Sequence, residues 1–214
     1  SNLNLFIAPS FPLMMTFKNI ISGRPNSYNL NLCAQNCHHQ SKGAYTGEVS
    51  IKMLKSLDVF SVIIGHSERR RYFNESNDIL AQKISICLQS NLLPIFCFGE
   101  TIEERKKGNF LEVIKSQISI IKPYIESNKK IILAYEPVWS IGTGKTPLLE
   151  EIEEVHSFVK ALFPNINILY GGSLNTKNAK DIFSIPQVNG GLVGGASLDP
   201  IEFTSIIRSA HDIC

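Results

Sequence analysis

The sequence predicts an α/β fold: a parallel sheet whose strands are joined by helical crossovers. Three observations carry that expectation. Short apolar, β-branched runs alternate with helical patterns along the whole length. Most of the runs lack in/out alternation, as strands buried on both faces do. No linker, compositional break, low-complexity tract or close repeat divides the chain. Its 214 residues, 43% of them apolar, suffice for a sizeable core, and a single domain over residues 1–214 is expected.

Seven strands are expected, at residues 3–8, 30–35, 59–65, 92–98, 130–135, 166–170 and 191–193. Between them, Ile79, Leu80, Ile84, Cys87 and Leu88 share one helical face, as do Leu111, Ile114, Ile118 and Ile121 ahead of Pro123. Thr146-Pro147 offers a cap and a first-turn proline for the run Leu149, Ile152, Val155, Val159, Leu162. Asp199-Pro200-Ile201-Glu202 does the same near the end. Such a rhythm suits a closed barrel or an open doubly wound sheet, and periodicity does not choose. Ala8-Pro9-Ser10-Phe11-Pro12 follows the first run where a dinucleotide site would need Gly-x-Gly-x-x-Gly, which argues against that use.

Composition narrows the function. The 21 Lys+Arg against 19 Asp+Glu leave a net charge of +2 with no dense basic tract, which speaks against nucleic acid. No apolar run approaches the roughly 18 to 20 residues needed to span a bilayer, and residues 1–4 lack the start of an export signal. A soluble, cytoplasmic protein with no membrane partner is expected. Cys33, Cys37, Cys87, Cys97 and Cys214 are odd in number and contain no Cys-x-x-Cys pair, which fits reduced thiols. His38 and His39 beside Cys37 lack metal-ligand spacing and are read as loop polarity, so no metal is expected.

Chemistry is sought where strands end, because that rim gathers side chains from several strands around one pocket. Glu136 follows a strongly apolar strand, where a partly dry cavity would move its pKa towards that of a working base. Pairing with Arg69 or Lys145 is the alternative. His66, just past another apolar strand, could polarise a carbonyl or move a proton, or could simply be packed and hydrogen-bonded. Glu68 and Arg69 read as an ion-pair network near the rim, and Cys97 as a packed thiol rather than a nucleophile.

Gly142-Thr143-Gly144-Lys145-Thr146 fails the Walker pattern, because Trp139 stands where the first Gly is required. It reads as a lid entered through Pro137-Val138-Trp139, or as an ordinary glycine turn. Gly171-Gly172-Ser173 and Gly194-Gly195-Ala196-Ser197 follow the last two strands. There, bare backbone can aim N–H groups at a phosphate or merely make turns.

Together, in this order and spacing, these segments resemble the triose-phosphate isomerase family over residues 5–207. Ala34-Gln35-Asn36-Cys37 and Gly43-Ala44-Tyr45-Thr46-Gly47-Glu48 resemble that family's third-strand loop. The resemblance implies a (β/α)₈ TIM barrel. The implied reaction, run without a cofactor, interconverts dihydroxyacetone phosphate and glyceraldehyde 3-phosphate in glycolysis and gluconeogenesis. It makes Glu136 the base and His66 the group that stabilises the enediolate, the family's carboxylate and neutral-histidine pair. Gly142, Ser173, Gly194 and Gly195 would hold phosphate, with Glu68, Arg69 and Cys97 in support. Thr46 and Gly47 would enter a partner subunit, implying a homodimer.

Pro147 departs from the small residue usual at the lid's second hinge, yet suits a helix start. Residues 3–8 resemble the family's second strand, so strands two to eight are expected here. The first strand and helix, with an Asn and a Lys of the active site, have no counterpart in these residues, and we expect a further N-terminal segment to supply them. Without that lysine, the implied alternative is a catalytically impaired fragment or a phosphate-binding barrel protein.

Overall fold

Residues 3–23, 29–127, 129–143 and 145–212 are described in the computed structural model. Cys214 of the cysteine set and Gly144 of the lid lie outside them. Six strands pair in sequence order: β1 Leu5–Ile7, β2 Leu30–Ala34, β3 Ser61–Ile64, β4 Leu93–Phe98, β5 Ile132–Tyr135 and β6 Asn167–Tyr170. Every pair is parallel. A doubly wound sheet reverses its strand order at a switch point. No reversal occurs among these six, so the crossovers wind in one direction throughout.

The crossover helices are α1 Met14–Ser22, α2 Ile51–Ser56, α3 Ser67–Tyr72, α4 Asn77–Gln89, α5 Ile102–Lys106, α6 Phe110–Ile118, α7 Lys122–Glu126, α8 Leu149–Leu162, α9 Ala179–Phe183 and α10 Pro200–His211. Successive strand side chains point to opposite faces, and both faces are apolar. Val62, Ile64, Phe96, Phe98, Leu133, Tyr135, Ile168 and Tyr170 join the helices in the main core. Ile63, Ile95, Cys97 and Ala134 form a second cluster on the other face with Cys33, flanked by Phe6, Ala8, Ile132, Leu169 and Leu192. That division explains the missing alternation in the sequence.

Two expectations are corrected. The run at residues 191–193 forms only an isolated bridge, Gly191 to Tyr170. Residues 189–192 do run beside β6, through Asn189 N–H to Ile168 O (2.8 Å) and Leu192 N–H to Tyr170 O (2.9 Å). The φ of +148° at Gly190 turns the chain out of regular strand geometry there.

The second correction is the start of α8. Its N-cap is Leu148, not Thr146, and the Glu151 carboxylate reaches back to accept the Leu148 N–H at 2.8 Å. Asp199 caps α10 as expected, accepting from the N–H groups of Ile201 and Glu202, with Pro200 in the first turn.

Candidate active site

β3 and β5 deliver the two central side chains. After Ile64 the chain turns through Gly65 at φ +75°, where a β-carbon would press to 3.1–3.2 Å on Phe96, the Cys97 carbonyl and Leu80. The turn leaves His66 as the N-cap of α3. Glu136 extends β5 by one residue, its N–H donating to Phe98 O at 2.7 Å, and its side chain is 2% exposed.

The two side chains meet. His66 Nε2 stands 3.1 Å from Glu136 Oε1, and Glu136 Oε2 accepts the Ser67 N–H at 2.8 Å. His66 Nδ1 accepts the Glu68 N–H at 3.3 Å. Nδ1 is thereby turned to the backbone of α3 and Nε2 to Glu136, whose buried Oε1 has no hydrogen-bond partner among the described residues. Burial raises the Glu136 pKa above the ordinary carboxylate value, against the opposing pull of His66, the Ser67 N–H and Cys97. Neither Arg69 nor Lys145 pairs with it: Arg69 Nε is spent on Glu75 Oε1 at 2.6 Å.

The rim network differs from the expected one. Glu68 is exposed, with only a 3.8 Å approach to His66 Nδ1, and does not pair with Arg69. Arg69 and the buried Lys83 converge instead on the buried Glu75, and Lys83 also donates to Asn36 Oδ1. Arg70, which the sequence did not single out, donates to Gly65 O, Asn77 Oδ1 and Cys97 O, tying the ends of β3 and β4 together. Cys97 is fully buried, and desolvation, then the Glu136 charge, raise its thiol well above the ordinary value. A thiol held protonated packs rather than attacks.

Glu136 and His66 open on a cavity of about 2420 Å³ that is also lined by Gly142, Ser173, Gly194 and Gly195. The backbone N–H groups of Ser173 and Gly194 donate to no protein acceptor among the described residues. Gly142 lies in a turn at φ +67°. The segment leading to it is rooted by Glu100, fully buried, whose Oε1 accepts from Tyr135 Oη (3.1 Å), Trp139 Nε1 (3.0 Å) and Arg105 Nη1 (3.2 Å). Glu100 and Arg105 were missed in the sequence because nothing in their spacing points to Trp139.

Thr46 and Gly47 are exposed and do not line the cavity; their loop is folded by Tyr45 stacking on His38, with ring centroids 4.2 Å apart. Among the described residues, no group of three His, Cys, Asp or Glu could hold a metal ion, and no helix is long and apolar enough to cross a membrane.

Comparison with known proteins bears on the same residues. The family model described as Triosephosphate isomerase matches residues 1–210. A Triosephosphate isomerase of Francisella tularensis subsp. holarctica is 42% identical over 214 residues, covering 95% of this chain and 84% of the relative. One from Prosthecochloris aestuarii is 40% identical, covering 96% and 83%. One from Phocaeicola vulgatus is 47% identical over 184 residues, covering 81% and 73%.

Proposed function

The chain belongs to the triosephosphate isomerase family, and we propose that Glu136 and His66 carry out the proton transfers by which it interconverts dihydroxyacetone phosphate and glyceraldehyde 3-phosphate. The observation that carries this reading is the 3.1 Å approach of His66 Nε2 to Glu136 Oε1 at the mouth of a glycine-rimmed cavity.

Glu136 takes a proton from carbon 1 of the ketose, leaving an enediolate, and returns it to carbon 2 to give the aldose. Its raised pKa suits a base that must also give the proton back near neutral pH. The Nε2–H of His66 donates to the oxygens on which charge develops, and can pass the hydroxyl proton between them. Backbone N–H groups of Ser173, Gly194 and Gly195 hold the phosphate, and Gly142 brings the lid over it, excluding water from the intermediate.

Residues 1–214 supply strands two to eight of one (β/α)₈ barrel, with the Gly191 segment as the last. A further βα unit carrying the family's Asn and Lys closes it between β1 and Gly191. Supporting this, β1 and the Gly191 segment each have a strand neighbour on one side only among the described residues. The cavity between them is too large for a ligand pocket of 300–1,000 Å³ and is lined by apolar Phe6, Ala8, Ile206 and Ile207. Leu198, which also lines it, is 87% exposed. The protein works in the cytoplasm, in glycolysis and gluconeogenesis, as a homodimer joined through the Thr46–Gly47 loop.

A coupled assay of triose-phosphate turnover on the full-length protein tests the reading. Glu136→Gln should lower kcat by at least about a hundredfold; turnover within twofold of the parent would remove Glu136 from the role of base.

A further inference from the structure

Gly99 is the one residue past β4 whose own peptide groups are turned away from β5. The β5 side is served by its neighbours, through Glu136 N–H to Phe98 O (2.7 Å) and Val138 N–H to Glu100 O (3.0 Å). In a parallel ladder the intervening residue directs its N–H and C=O to the opposite side. There both are taken by a single side chain from α6. Gly99 N–H donates to Gln117 Oε1 at 2.9 Å, and Gln117 Nε2 donates to Gly99 O at 2.9 Å.

Gly99 also lies directly against the backbone of the base. A β-carbon on Gly99 would collide with the Glu136 carbonyl oxygen and stand 2.6 Å from the Glu136 carbonyl carbon. Any displacement of the Gly99 peptide is therefore passed by contact to the peptide that carries the catalytic carboxylate. α6 is a firm base for the clamp, since Ile114 and Ile118 on either side of Gln117 are buried in the main core.

From this geometry we propose that Gln117 is a positioning residue for the isomerisation, its side-chain amide fixing the Gly99 peptide and, through it, the place of Glu136. The proposal rests on the reading of Glu136 as the base. Glutamine suits the task because it offers one donor and one acceptor at the end of a side chain, matching the backbone donor and acceptor of one residue. Removing it orphans both groups beside Glu136, and they regain partners only if the Gly99 peptide shifts or admits water. The phosphate-gripping glycines lie on other strand ends, so ground-state binding is left alone.

Two variants of the full-length protein test this. Gln117→Met keeps the length and loses both hydrogen bonds. It should lower kcat by about tenfold to a hundredfold with KM changed less than about twofold, at a temperature well below its melting point. Gln117→Glu keeps the acceptor but donates to Gly99 O only when protonated, so its kcat relative to the parent should rise as pH falls.

A folded Gln117→Met with parental kcat, or with kcat and KM altered in equal proportion, overturns the proposal. Should Gln117→Met fail to fold, Gln117→Glu decides: a pH-dependent ratio supports the clamp and a flat ratio overturns it. Glu136→Gln, assayed alongside, separates the two readings. Active Gln117 variants beside an inactive Glu136→Gln sink only this inference, whereas an active Glu136→Gln sinks the assignment beneath it.

Discussion

His66 faces Glu136 with Nε2 at 3.1 Å from Oε1 while its other nitrogen accepts the Glu68 N–H, which sets the edge that the ring turns towards the carboxylate. The two come from the ends of β3 and β5, which do not touch; β4 lies between them and sets their spacing.

Replacing the imidazole by an amide that cannot shuttle a proton tests its half of the pair. His66→Gln should retain the fold and lower kcat by about a hundredfold to a thousandfold, on the scale of losing one donor to a developing oxyanion. The measurement is steady-state turnover in both directions. Parental kcat would show that the ring has no electrophilic part.

The pH profile follows from the carboxylate. A base works only when ionised, and burial raises the pKa of Glu136 above the usual 4.5. The acid limb of kcat/KM should therefore lie above pH 4.5, activity falling as pH drops through it. A limb at or below that value would contradict the dry setting assigned to Glu136.

His156 governs a separate acid response, in stability. It is buried on α8 with Nδ1 3.2 Å from Gln187 O, and desolvation lowers its pKa from 6.5 to about 4. The unfolded chain binds this proton first as pH falls, so the folded state is favoured above pH 6.5 and loses ground between pH 6.5 and 4. The loss is about 3 kcal/mol when complete. Urea unfolding midpoints should fall across that window, and His156→Gln should flatten the slope. An unchanged slope would assign the acid response to other groups.

Gly195 tests the proposed phosphate site without disturbing the fold. A β-carbon there meets nothing within 4 Å. Gly195→Val should accordingly leave Tm unchanged while raising KM, and the Ki of inorganic phosphate, by about tenfold, equivalent to about 1.4 kcal/mol of lost binding. Equal KM in parent and variant would place the phosphate elsewhere.

The exposed tip of the Thr46 loop gives an assembly test. Thr46→Glu should place a charge in the proposed subunit contact and convert the proposed dimer to monomer at micromolar concentration, read by sedimentation. An unchanged mass would exclude the loop from the interface.

Much of this was legible in the sequence because strand ends mark themselves. Apolar runs that stop at Gly65-His66 and at Glu136-Pro137 show which side chains reach the rim, and a parallel sheet brings those rims to one side. Partners distant along the chain were not legible. That Ser67 N–H holds Glu136 depends on how the end of β3 lies across β4 from that of β5. That Arg69 chooses Glu75 over adjacent Glu68 reflects helix geometry, in which successive side chains diverge and do not face each other.

The last strand and the start of α8 fell short for local reasons. Gly190 bends the segment that composition marks as β, and Glu151 caps α8 from within, so the Thr146-Pro147 signal goes unused. Gln117 carries no motif at all; its place is visible only once β4 and α6 are packed.

Solvent deuterium tests the central claim most directly. Dihydroxyacetone phosphate turned over in D₂O should yield glyceraldehyde 3-phosphate labelled at carbon 2, and Glu136→Gln should reduce labelling and turnover by the same factor, at least about a hundredfold. Labelling that persists in Glu136→Gln at the parent's rate would mean that another group abstracts the proton.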